Sequence, residues 1–234
     1  MRFTENLHEP NEKNRKIIDL SYTLSTASPV WPGEEEPELQ RTSTLDRDGA
    51  NVSQICLNVH TETHVDAPKH FYGKGATIDD IPLDSFAGRA AVYRCPEKPE
   101  GGEVSLEQVK GSGIELEEKD VFILVSGLEE LRGDSSYFRE FPVPSTELLN
   151  WLLEKGIKCY GTDCPSVDPL GSESHEKHKL LLAENIPIVE NLANMDQISE
   201  KKDIFFLAFP LKLKGLEASP CRALAMIGPD CGPG

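Results

Sequence analysis

The sequence predicts a mixed α/β fold built as a single domain. In the second half of the chain, strand-like segments alternate with helix-like segments, which is the pattern of successive βαβ units. The first half is rich in strand-like segments, so we expect a mixed sheet with flanking helices instead of a purely parallel sheet. The chain has 234 residues, enough for one well-buried core. The expected domain covers residues 16–234, and the polar residues 1–15 are expected to form a mobile arm.

The first half contains three candidate strands and one short helix. Residues 16–24, KIIDLSYTL, mix β-branched and apolar residues as a strand does. Prolines and a glycine interrupt the next stretch, SPVWPGEEEPEL, so Trp31 is expected on a loop, where it either folds back on the core or forms a pocket wall. SQICLNV at 53–59 alternates apolar and polar side chains, and AGRAAVYRC at 87–95 is a further strand candidate. A short helix is predicted at 105–110, inside an acidic connector.

The second half begins with a buried strand, because VFILVSG at 121–127 is a continuous apolar run bounded by a turn. STELLNWLLEKG at 145–156 is typical of an amphipathic helix, with Ser145 as its N-cap and Gly156 as its stop. IKCYGTD at 157–163 follows as a strand and completes one βαβ unit. The remaining predicted elements are a helix in HEKHKLLLAEN, a strand in IPIVENL, a helix start in NLANMDQI and a long strand in DIFFLAFPLKL.

The charge of the chain is strongly acidic. Lys and Arg number 24 against 40 Asp and Glu, and the formal net charge of −16 repels phosphate backbones and anionic lipid surfaces. We therefore expect neither nucleic acid nor a membrane as a partner. The chain has no apolar run of the roughly 18 residues that a membrane span needs, and its first residues lack the apolar stretch of a secretory signal. The six cysteines include no CxxC pair and are expected to be reduced thiols in a cytoplasmic protein.

The stretch HTETHVDAPKHF, residues 60–71, gathers three histidines and two carboxylates. On a strand, side chains two residues apart share a face, so the first two histidines, Glu62 and Asp66 would point the same way. A helix would also align His60 with His64, as in HExxH zinc proteases, but in those the glutamate directly follows the first histidine. The β-branched residues between these positions and the stop at Pro68 also disfavour a helix. We therefore predict a strand.

Two imidazoles and a carboxylate on one face suit a divalent transition metal. We predict that His60, His64 and Asp66 bind such an ion. These ligands accept Zn, Mn, Fe or Co, with Zn²⁺ as the first candidate and Mn²⁺ as the second. Three protein ligands leave coordination positions open, as in catalytic sites. The rival interpretation is a polar edge strand whose histidines face water. His70 lies beyond the turn at Pro68, outside the strand register, and is a candidate base at the rim of the site.

A second group of candidate ligands lies further along the chain. His175 and His178 are one helical turn apart, and Glu190 lies at the end of the following strand, where ligands gather in open α/β sheets. One of these histidines, together with Glu190, would complete a second metal position. The alternative is a solvated helical face, which is common for a sequence such as HEKH.

The motif HTETHVDAPKHF resembles HxGTHxDxPxHF, the motif of the metal-dependent cyclase-like hydrolases, a family that includes bacterial kynurenine formamidase and isatin hydrolase. Further blocks resemble the family in the same order: DLSYTL with the VWPG loop, GATIDDIPLDSFAGRA, YGTDCPSVDP, ENIPIVENLANMDQI and ASPCRALAMI. The resemblance covers most of residues 17–227. It implies the swivelling β/β/α fold of the family and a homodimer or a higher oligomer.

The resemblance also implies the metal ligands. His60, His64 and Asp66 would bind a first ion, and Asp66 would bridge to a second ion. His178 and Glu190 would help to hold that second ion, with Glu190 also bridging. Of the two helical histidines, the family's spacing to Glu190 prefers His178. One or two ions per chain are therefore expected.

The activity implied by the resemblance is hydrolysis of a C–N amide bond in a small aromatic or cyclic substrate. The reference reaction converts N-formylkynurenine to kynurenine and formate in tryptophan catabolism. His70 would be the proton donor and acceptor, and Trp31 the aromatic side chain at the substrate pocket. Glu62 departs from the family, which usually has glycine there. Strand parity would aim its carboxylate into the site, as an extra ligand or a clash with the usual substrate, unless a bulge swings it aside. Isatin-like rings, cyclic imides and lactones are therefore alternative substrates.

Two rival functions are less consistent with the sequence. A serine hydrolase would need a GxSxG elbow, which is absent, and Ser166 in CPSVD lacks the strand, elbow and helix around it. A non-catalytic metal-binding or ligand-binding protein would result if Glu62 filled the coordination position that water needs. Such a protein would bind metal without cleaving an amide.

Overall fold

The structure, a computed structural model, describes residues 16–96, 102–134, 136–198 and 203–228, so the arm expected at residues 1–15 lies outside it. Within these ranges the strands are β1 (Lys16–Asp19), β2 (Glu38–Ser43), β3 (Val52–Cys56), β4 (His64–Asp66), β5 (Ala87–Arg94), β6 (Glu103–Val104), β7 (Val121–Val125), β8 (Val143–Pro144), β9 (Cys159–Thr162), β10 (Ile188–Glu190), β11 (Ile204–Pro210) and β12 (Ala218–Ile227). The α-helices are α1 (Leu45–Asp48), α2 (Leu106–Gly111), α3 (Thr146–Glu154) and α4 (Glu176–Ala183).

An eight-stranded mixed sheet forms the centre of the molecule, in the order β1-β12-β11-β5-β7-β9-β10-β4. The strands β5, β7, β9 and β10 pair in parallel, as the predicted βαβ units require. The other pairings are antiparallel, and β4 pairs with both β10 and β12. This double pairing closes β12, β11, β5, β7, β9, β10 and β4 into a ring. The predicted mixed α/β fold is confirmed.

Apolar side chains of the sheet and of α3 and α4 form much of the core. The strand β7 is buried along its whole length, as predicted from its continuous apolar run. On α3 the side chains of Leu148, Leu149 and Leu152 are buried. The predicted N-cap is confirmed, because Ser145 Oγ accepts a hydrogen bond from the backbone N–H of Leu148 at 3.2 Å. The predicted stop, Gly156, has a φ of 74°, which glycine adopts without strain.

Several other predicted elements are present with altered bounds or type. The strands β1, β5, β9, β10 and β11 and the helices α2 and α4 occur largely within the predicted segments. NLANMDQI forms only a 3₁₀ turn at Met195–Gln197 instead of starting an α-helix. The strands β2 and β12 were not predicted, since β2 is polar and β12 contains Pro220 and three alanines, which are poor strand formers. No helix in the described ranges has the length and apolar character needed to span a lipid bilayer.

The prediction of one strand from residue 53 through the histidine motif is wrong for residues 57–63. Residues 57–63, between the end of β3 and the start of β4, are not a strand, and they include a turn at 59–60 followed by a bend at 61–63. Asn58 favours this turn, because its side-chain oxygen accepts the backbone N–H of His60 at 2.9 Å. Glu62 then adopts a left-handed conformation with a φ of 60°. The alternation of side chains along a strand therefore does not determine where the side chains of His60 and Glu62 point.

The strands β2 and β3 form a separate two-stranded hairpin. All of its residues are exposed except the half-buried Ser43 at its edge. Leu39 and Ile55 lie directly opposite each other and are 43% and 56% exposed. A hairpin of two strands is only marginally stable in water without a further packing surface.

Candidate metal centre

A cleft of about 510 Å³ lies beside the carboxyl ends of β9 and β10. Ligand sites form at this end of parallel strands both in open α/β sheets and in closed barrels. The cleft lining combines the histidine motif with aromatic and apolar side chains from two loops. All seven residues that the sequence predicted for the site line this cleft: Trp31, His60, His64, Asp66, His70, His178 and Glu190.

The register between β4 and β10 brings three of the predicted ligands together. His64 lies directly opposite Glu190, and side chains of directly opposed residues share one face of a sheet. Asp66 is two residues further along β4 and shares that face. His64 Nε2 is 3.3 Å from Asp66 Oδ1 and 3.5 Å from Glu190 Oε2. For the two residues of β4, the strand argument made from the sequence is correct.

His60 reaches the same point from the turn before β4. Its Nδ1 is 2.8 Å from Asp66 Oδ1. The ligand atoms of His60, His64 and Asp66 all lie within 4.8 Å of one another, the spacing that a bound metal ion requires. The predicted convergence is observed, although a turn and not a common strand delivers His60.

The helix α4 supplies His178, whose Nε2 is 3.2 Å from Glu190 Oε1 and 3.7 Å from Asp66 Oδ2. Its Nδ1 is 2.7 Å from Asp168 Oδ2. Because an ionised carboxylate only accepts hydrogen bonds, Nδ1 carries the hydrogen and the Nε2 atom faces the other two carboxylates. His175 lies just before α4, with its ring centroid 6.5 Å from that of His178. His178 contacts Glu190 and Asp66, whereas the ligand atoms of His175 form a group with those of Asp168 and His178, all within 4.8 Å of one another.

Three of the convergent atoms lack a hydrogen-bond partner within the described ranges. Among the described residues, His64 Nε2 and both carboxylate oxygens of Asp66 are buried without a hydrogen-bond partner. His64 Nδ1 lies 2.8 Å from the carbonyl oxygen of Glu62, which can only accept, so Nδ1 carries a hydrogen and Nε2 is the nitrogen that is left to bind a proton or a metal ion. A buried group of acceptors is costly unless a cation lies between them. The imidazole and carboxylate donors therefore fit a divalent metal such as zinc or manganese.

The electrostatics of the cluster also favour a cation. Burial by itself would lower the pKa of His64, but Asp66 and Glu190 outweigh burial and raise that pKa to about 9. Burial is likewise outweighed at His178, where Asp168 and Glu190 raise the pKa to about 10. Burial would raise the pKa of Asp66, yet the imidazoles of the motif hold it well below its usual range. The site therefore stabilises added positive charge, which a proton or a metal ion can supply.

His70 lies in a 3₁₀ turn, Pro68–His70, outside the strand register as predicted. Its ring centroid is 4.2 Å from that of His60 and 5.8 Å from that of His178. Burial lowers the pKa of His70 to about 4, against the opposing effect of Asp66, so its imidazole is neutral at pH 7. A neutral imidazole beside the cluster has the chemistry of a general base.

Trp31 lies on the predicted loop and lines the cleft. Its ring packs edge-on against Phe138, with the ring centroids 5.7 Å apart. The two sequence interpretations are both partly met, because the indole packs on a neighbouring aromatic side chain and also forms part of the cleft wall.

Glu62 lines the cleft, but its carboxylate belongs to none of the three groups of possible metal ligands found among the described residues. Its Oε1 accepts a hydrogen bond from Arg132 Nη2 at 2.5 Å. The guanidinium of Arg132 stacks on the ring of Tyr22, 3.7 Å from the ring centroid. The prediction that strand alternation directs the Glu62 carboxylate into the metal site is therefore wrong. The side chain is swung aside, by a left-handed turn instead of a bulge.

Sequence reasoning missed three residues that support the cluster: Asp168, Asn191 and Arg132. Asn191 Nδ2 donates to the carbonyl of Glu62 at 3.1 Å, and its Oδ1 accepts from Tyr137 at 2.7 Å. A signal existed for Asp168, because α4 begins after His175, which is not a capping residue, and an acceptor from elsewhere is needed there. Arg132 and Asn191 act across long sequence separations, and no local pattern marks them.

Comparison with protein families and known sequences identifies relatives of this chain. The Cyclase family model matches residues 18–169, more than half of the chain. The chain is 33% identical over 218 residues to the kynurenine formamidase of Salinibacter ruber (strain DSM 13855 / M31), covering 92% of this chain and 99% of the relative. It is 32% identical over 224 residues to the kynurenine formamidase of Erythrobacter litoralis (strain HTCC2594), covering 94% and 98%.

Solved structures share the fold. Isatin hydrolase A from Labrenzia aggregata bound to benzyl benzoate superposes with a TM-score of 0.81 at 26% identity, over 91% of this chain and 94% of that chain. Isatin hydrolase A from Ralstonia solanacearum superposes with a TM-score of 0.80 at 23% identity, over 92% of each chain. The second comparison bears on the fold alone.

Proposed function

Because this chain belongs to the Cyclase family, we propose that it is a metal-dependent hydrolase that cleaves a C–N amide bond of a small aromatic or cyclic substrate. The observation that carries the proposal is the convergence of three imidazoles and two carboxylates on the cleft. Three atoms of this group are buried without a hydrogen-bond donor in the described part of the chain. Burying such a group costs folding free energy unless it binds a cation. The cluster is therefore expected to bind a metal ion.

In the proposed enzyme the metal ligands are His60, His64, Asp66, His178 and Glu190. The first three would hold one divalent ion, and Asp66, His178 and Glu190 would help to hold a second. Zinc and manganese both accept imidazole and carboxylate ligands. When bound, the metal supplies Lewis acidity, which polarises a carbonyl group and makes hydroxide available near neutral pH.

His70 is the proposed proton shuttle. The ring of His70 lies against that of His60 and lines the cleft. His70 lies on neither β4 nor β10, the two strands that carry His64, Asp66 and Glu190. In its neutral form the imidazole accepts a proton from the attacking water and then donates it to the nitrogen of the leaving amine. This second transfer allows the C–N bond to break without expelling an amide anion.

The first candidate substrate is N-formylkynurenine, an aryl formamide. The support is the identity of 33% and 32% to two kynurenine formamidases over nearly the whole chain. Trp31, Phe138 and Leu170 supply apolar lining to the cleft, which suits an aromatic ring.

A neutral ring such as isatin, a cyclic imide or a lactone is the second candidate. One observation favours it: in the described part of the chain, neither lysine nor arginine lines the cleft, whereas five carboxylates do. The described lining therefore offers no ammonium or guanidinium group that would pair with the carboxylate of an amino acid substrate. The likeness to an isatin hydrolase at 26% identity points the same way.

The test combines metal analysis with ultraviolet hydrolysis assays. The purified protein is analysed for metal, and then assayed on N-formylkynurenine, formanilide and isatin before chelation, after chelation and after metal return. Formanilide is the matched control for N-formylkynurenine, because it keeps the aryl formamide and lacks the amino acid group. We expect hydrolysis to stop with chelator and to return with metal.

The outcomes separate the candidate functions. Preference for N-formylkynurenine over formanilide supports the first candidate, and preference for isatin supports the second. Tight metal binding with no cleavage of any of the three substrates would instead support the non-catalytic alternative. A protein that binds no metal would contradict the proposal.

We also propose that the chain is a homo-oligomer, a dimer or a tetramer, in a reducing compartment such as the cytoplasm. The exposed pair Leu39 and Ile55 on the β2–β3 hairpin supplies apolar surface for a subunit contact. Free thiols at Cys56, Cys159, Cys164 and Cys221 are consistent with a reducing compartment. Light scattering after size exclusion tests the oligomer: Leu39→Asp is expected to shift it towards monomer, and an unchanged mass would contradict a contact at the hairpin.

A further inference from the structure

Glu62 occupies a backbone conformation that its side chain does not favour. Its φ of 60° lies in the left-handed region, where glycine is the residue without strain. A non-glycine residue persists there only when its surroundings fix it. The contacts of Glu62 therefore show what fixes the turn.

Three contacts restrain this turn. The Glu62 carboxylate pairs with Arg132 at 2.5 Å, and the two side chains are only 3% and 20% exposed. Arg132 is itself oriented by the ring of Tyr22, 3.7 Å from its guanidinium carbon. On the backbone side, the carbonyl oxygen of Glu62 accepts from Asn191 Nδ2 at 3.1 Å. Hydrogen bonds therefore hold both the side chain and the carbonyl group of Glu62.

The same carbonyl oxygen determines the orientation of the His64 ring and which of its nitrogens faces the metal site. It lies 2.8 Å from His64 Nδ1, so Nδ1 carries the hydrogen and Nε2 is left facing Asp66 and Glu190. If the peptide after Glu62 rotated, this hydrogen bond would break and the ring of His64 would lose its fixed orientation. Partners of this kind tune the affinity of a metal site although they do not touch the metal.

Resting on the proposed function, we propose that Glu62 and Arg132 are positioning residues of the metal centre. Their buried ion pair holds the left-handed turn at Glu62, whose carbonyl in turn orients His64 with Nε2 towards the metal. The pairing also neutralises the Glu62 carboxylate, so that it neither adds a ligand nor repels a bound substrate. Glu62 thereby performs by ion pairing what glycine would perform through its conformational freedom.

The experiment compares metal affinity in four proteins: the unaltered chain, Arg132→Met, the double variant Glu62→Gly with Arg132→Met, and the control Arg222→Met. Met removes the charge and keeps much of the side-chain length. Arg222 forms an exposed ion pair with Asp19, so its loss controls for removing an arginine pair. Zinc affinity is measured by competition with a chelating dye, and circular dichroism checks folding.

We expect Arg132→Met to lower zinc affinity by about 10- to 100-fold, the usual effect of removing a residue that orients a metal ligand. The double variant is expected to recover nearly the original affinity, because glycine holds the turn without an ion pair. Arg222→Met is expected to bind zinc as the unaltered chain does. If Arg132→Met fails to fold, Arg132→Lys replaces it, because lysine keeps the charge but not the planar geometry, and a smaller loss is expected.

Cobalt provides a second readout. The visible spectrum of Co²⁺ reports ligand geometry, and at saturating cobalt a mere loss of stability leaves it unchanged. We expect an altered spectrum for Arg132→Met and the original spectrum for the double variant. Unchanged affinity and spectrum in Arg132→Met, or no recovery in the double variant, would overturn this inference alone. Absence of metal binding by the unaltered chain would overturn the proposed function, and this inference with it.

Discussion

Replacing Asp168 by alanine is expected to weaken metal binding and the start of α4 together. Asp168 accepts three hydrogen bonds: from the backbone N–H of Lys177 at 3.1 Å, from the backbone N–H of His178 at 3.0 Å, and from His178 Nδ1 at 2.7 Å. The two backbone contacts are those of a helix cap, and losing a cap costs about 0.5–2 kcal/mol of unfolding free energy. The third contact orients His178, and its loss is expected to reduce metal affinity about 10- to 100-fold, or about 1.4–2.7 kcal/mol.

Two measurements separate these effects. Urea unfolding of the metal-free proteins gives the stability change, and dye competition gives the metal affinity. Ser145→Ala is the matched control, because Ser145 caps α3 through Leu148 and contacts no predicted ligand. It is expected to lose a similar stability, about 0.5–2 kcal/mol, with unchanged metal affinity.

Asp168→Asn refines the test. An amide has one acceptor oxygen and cannot satisfy both Lys177 and His178, so we expect an affinity between those of the unaltered chain and Asp168→Ala. The reasoning is refuted if Asp168→Ala binds metal as tightly as the unaltered chain. It is also refuted if Ser145→Ala loses metal affinity to the same extent, since affinity would then follow stability alone.

Three further predictions follow from the site and the core. His70→Ala is expected to lower kcat by about 10² to 10⁴ with near-normal metal content, and full turnover would show that His70 is not the proton shuttle. Metal at 100 times its Kd is expected to add about 2.7 kcal/mol of stability in thermal unfolding, whereas Asp66→Ala should show no such gain. Leu149→Ala empties a fully buried position on α3 and should cost about 2–5 kcal/mol in urea unfolding, and a cost below 1 kcal/mol would contradict the assigned packing.

Patterns that depend on near neighbours in the sequence predicted their elements well. The continuous apolar run predicted β7, and the apolar stripe with its serine cap predicted α3. Both signals lie within the element itself. The parallel pairing of β7 with β9 followed from the helix between them. The candidate ligands could be proposed from the sequence because few roles other than metal binding bring imidazoles and carboxylates together.

The rest depended on contacts between distant residues. Thr61 and Thr63 favour a strand locally, and the turn prevails because Asn58, Asn191 and Arg132 supply hydrogen bonds that a strand would not use. The strand β12 is stabilised by neighbours on both sides, which compensates for its proline and alanines. No local pattern reports that Arg132, 70 residues from Glu62, will meet it.

The closed ring of strands gives the site an order of assembly. His64 and Asp66 sit on the short strand that completes the ring, between Glu190 on one neighbour and residues 218–220 on the other. During synthesis, β4 leaves the ribosome long before either partner exists, and closing such distant contacts is the slow part of folding. The candidate ligands therefore come together only where β4 pairs with both of its neighbours, so we expect metal binding to require the completed ring.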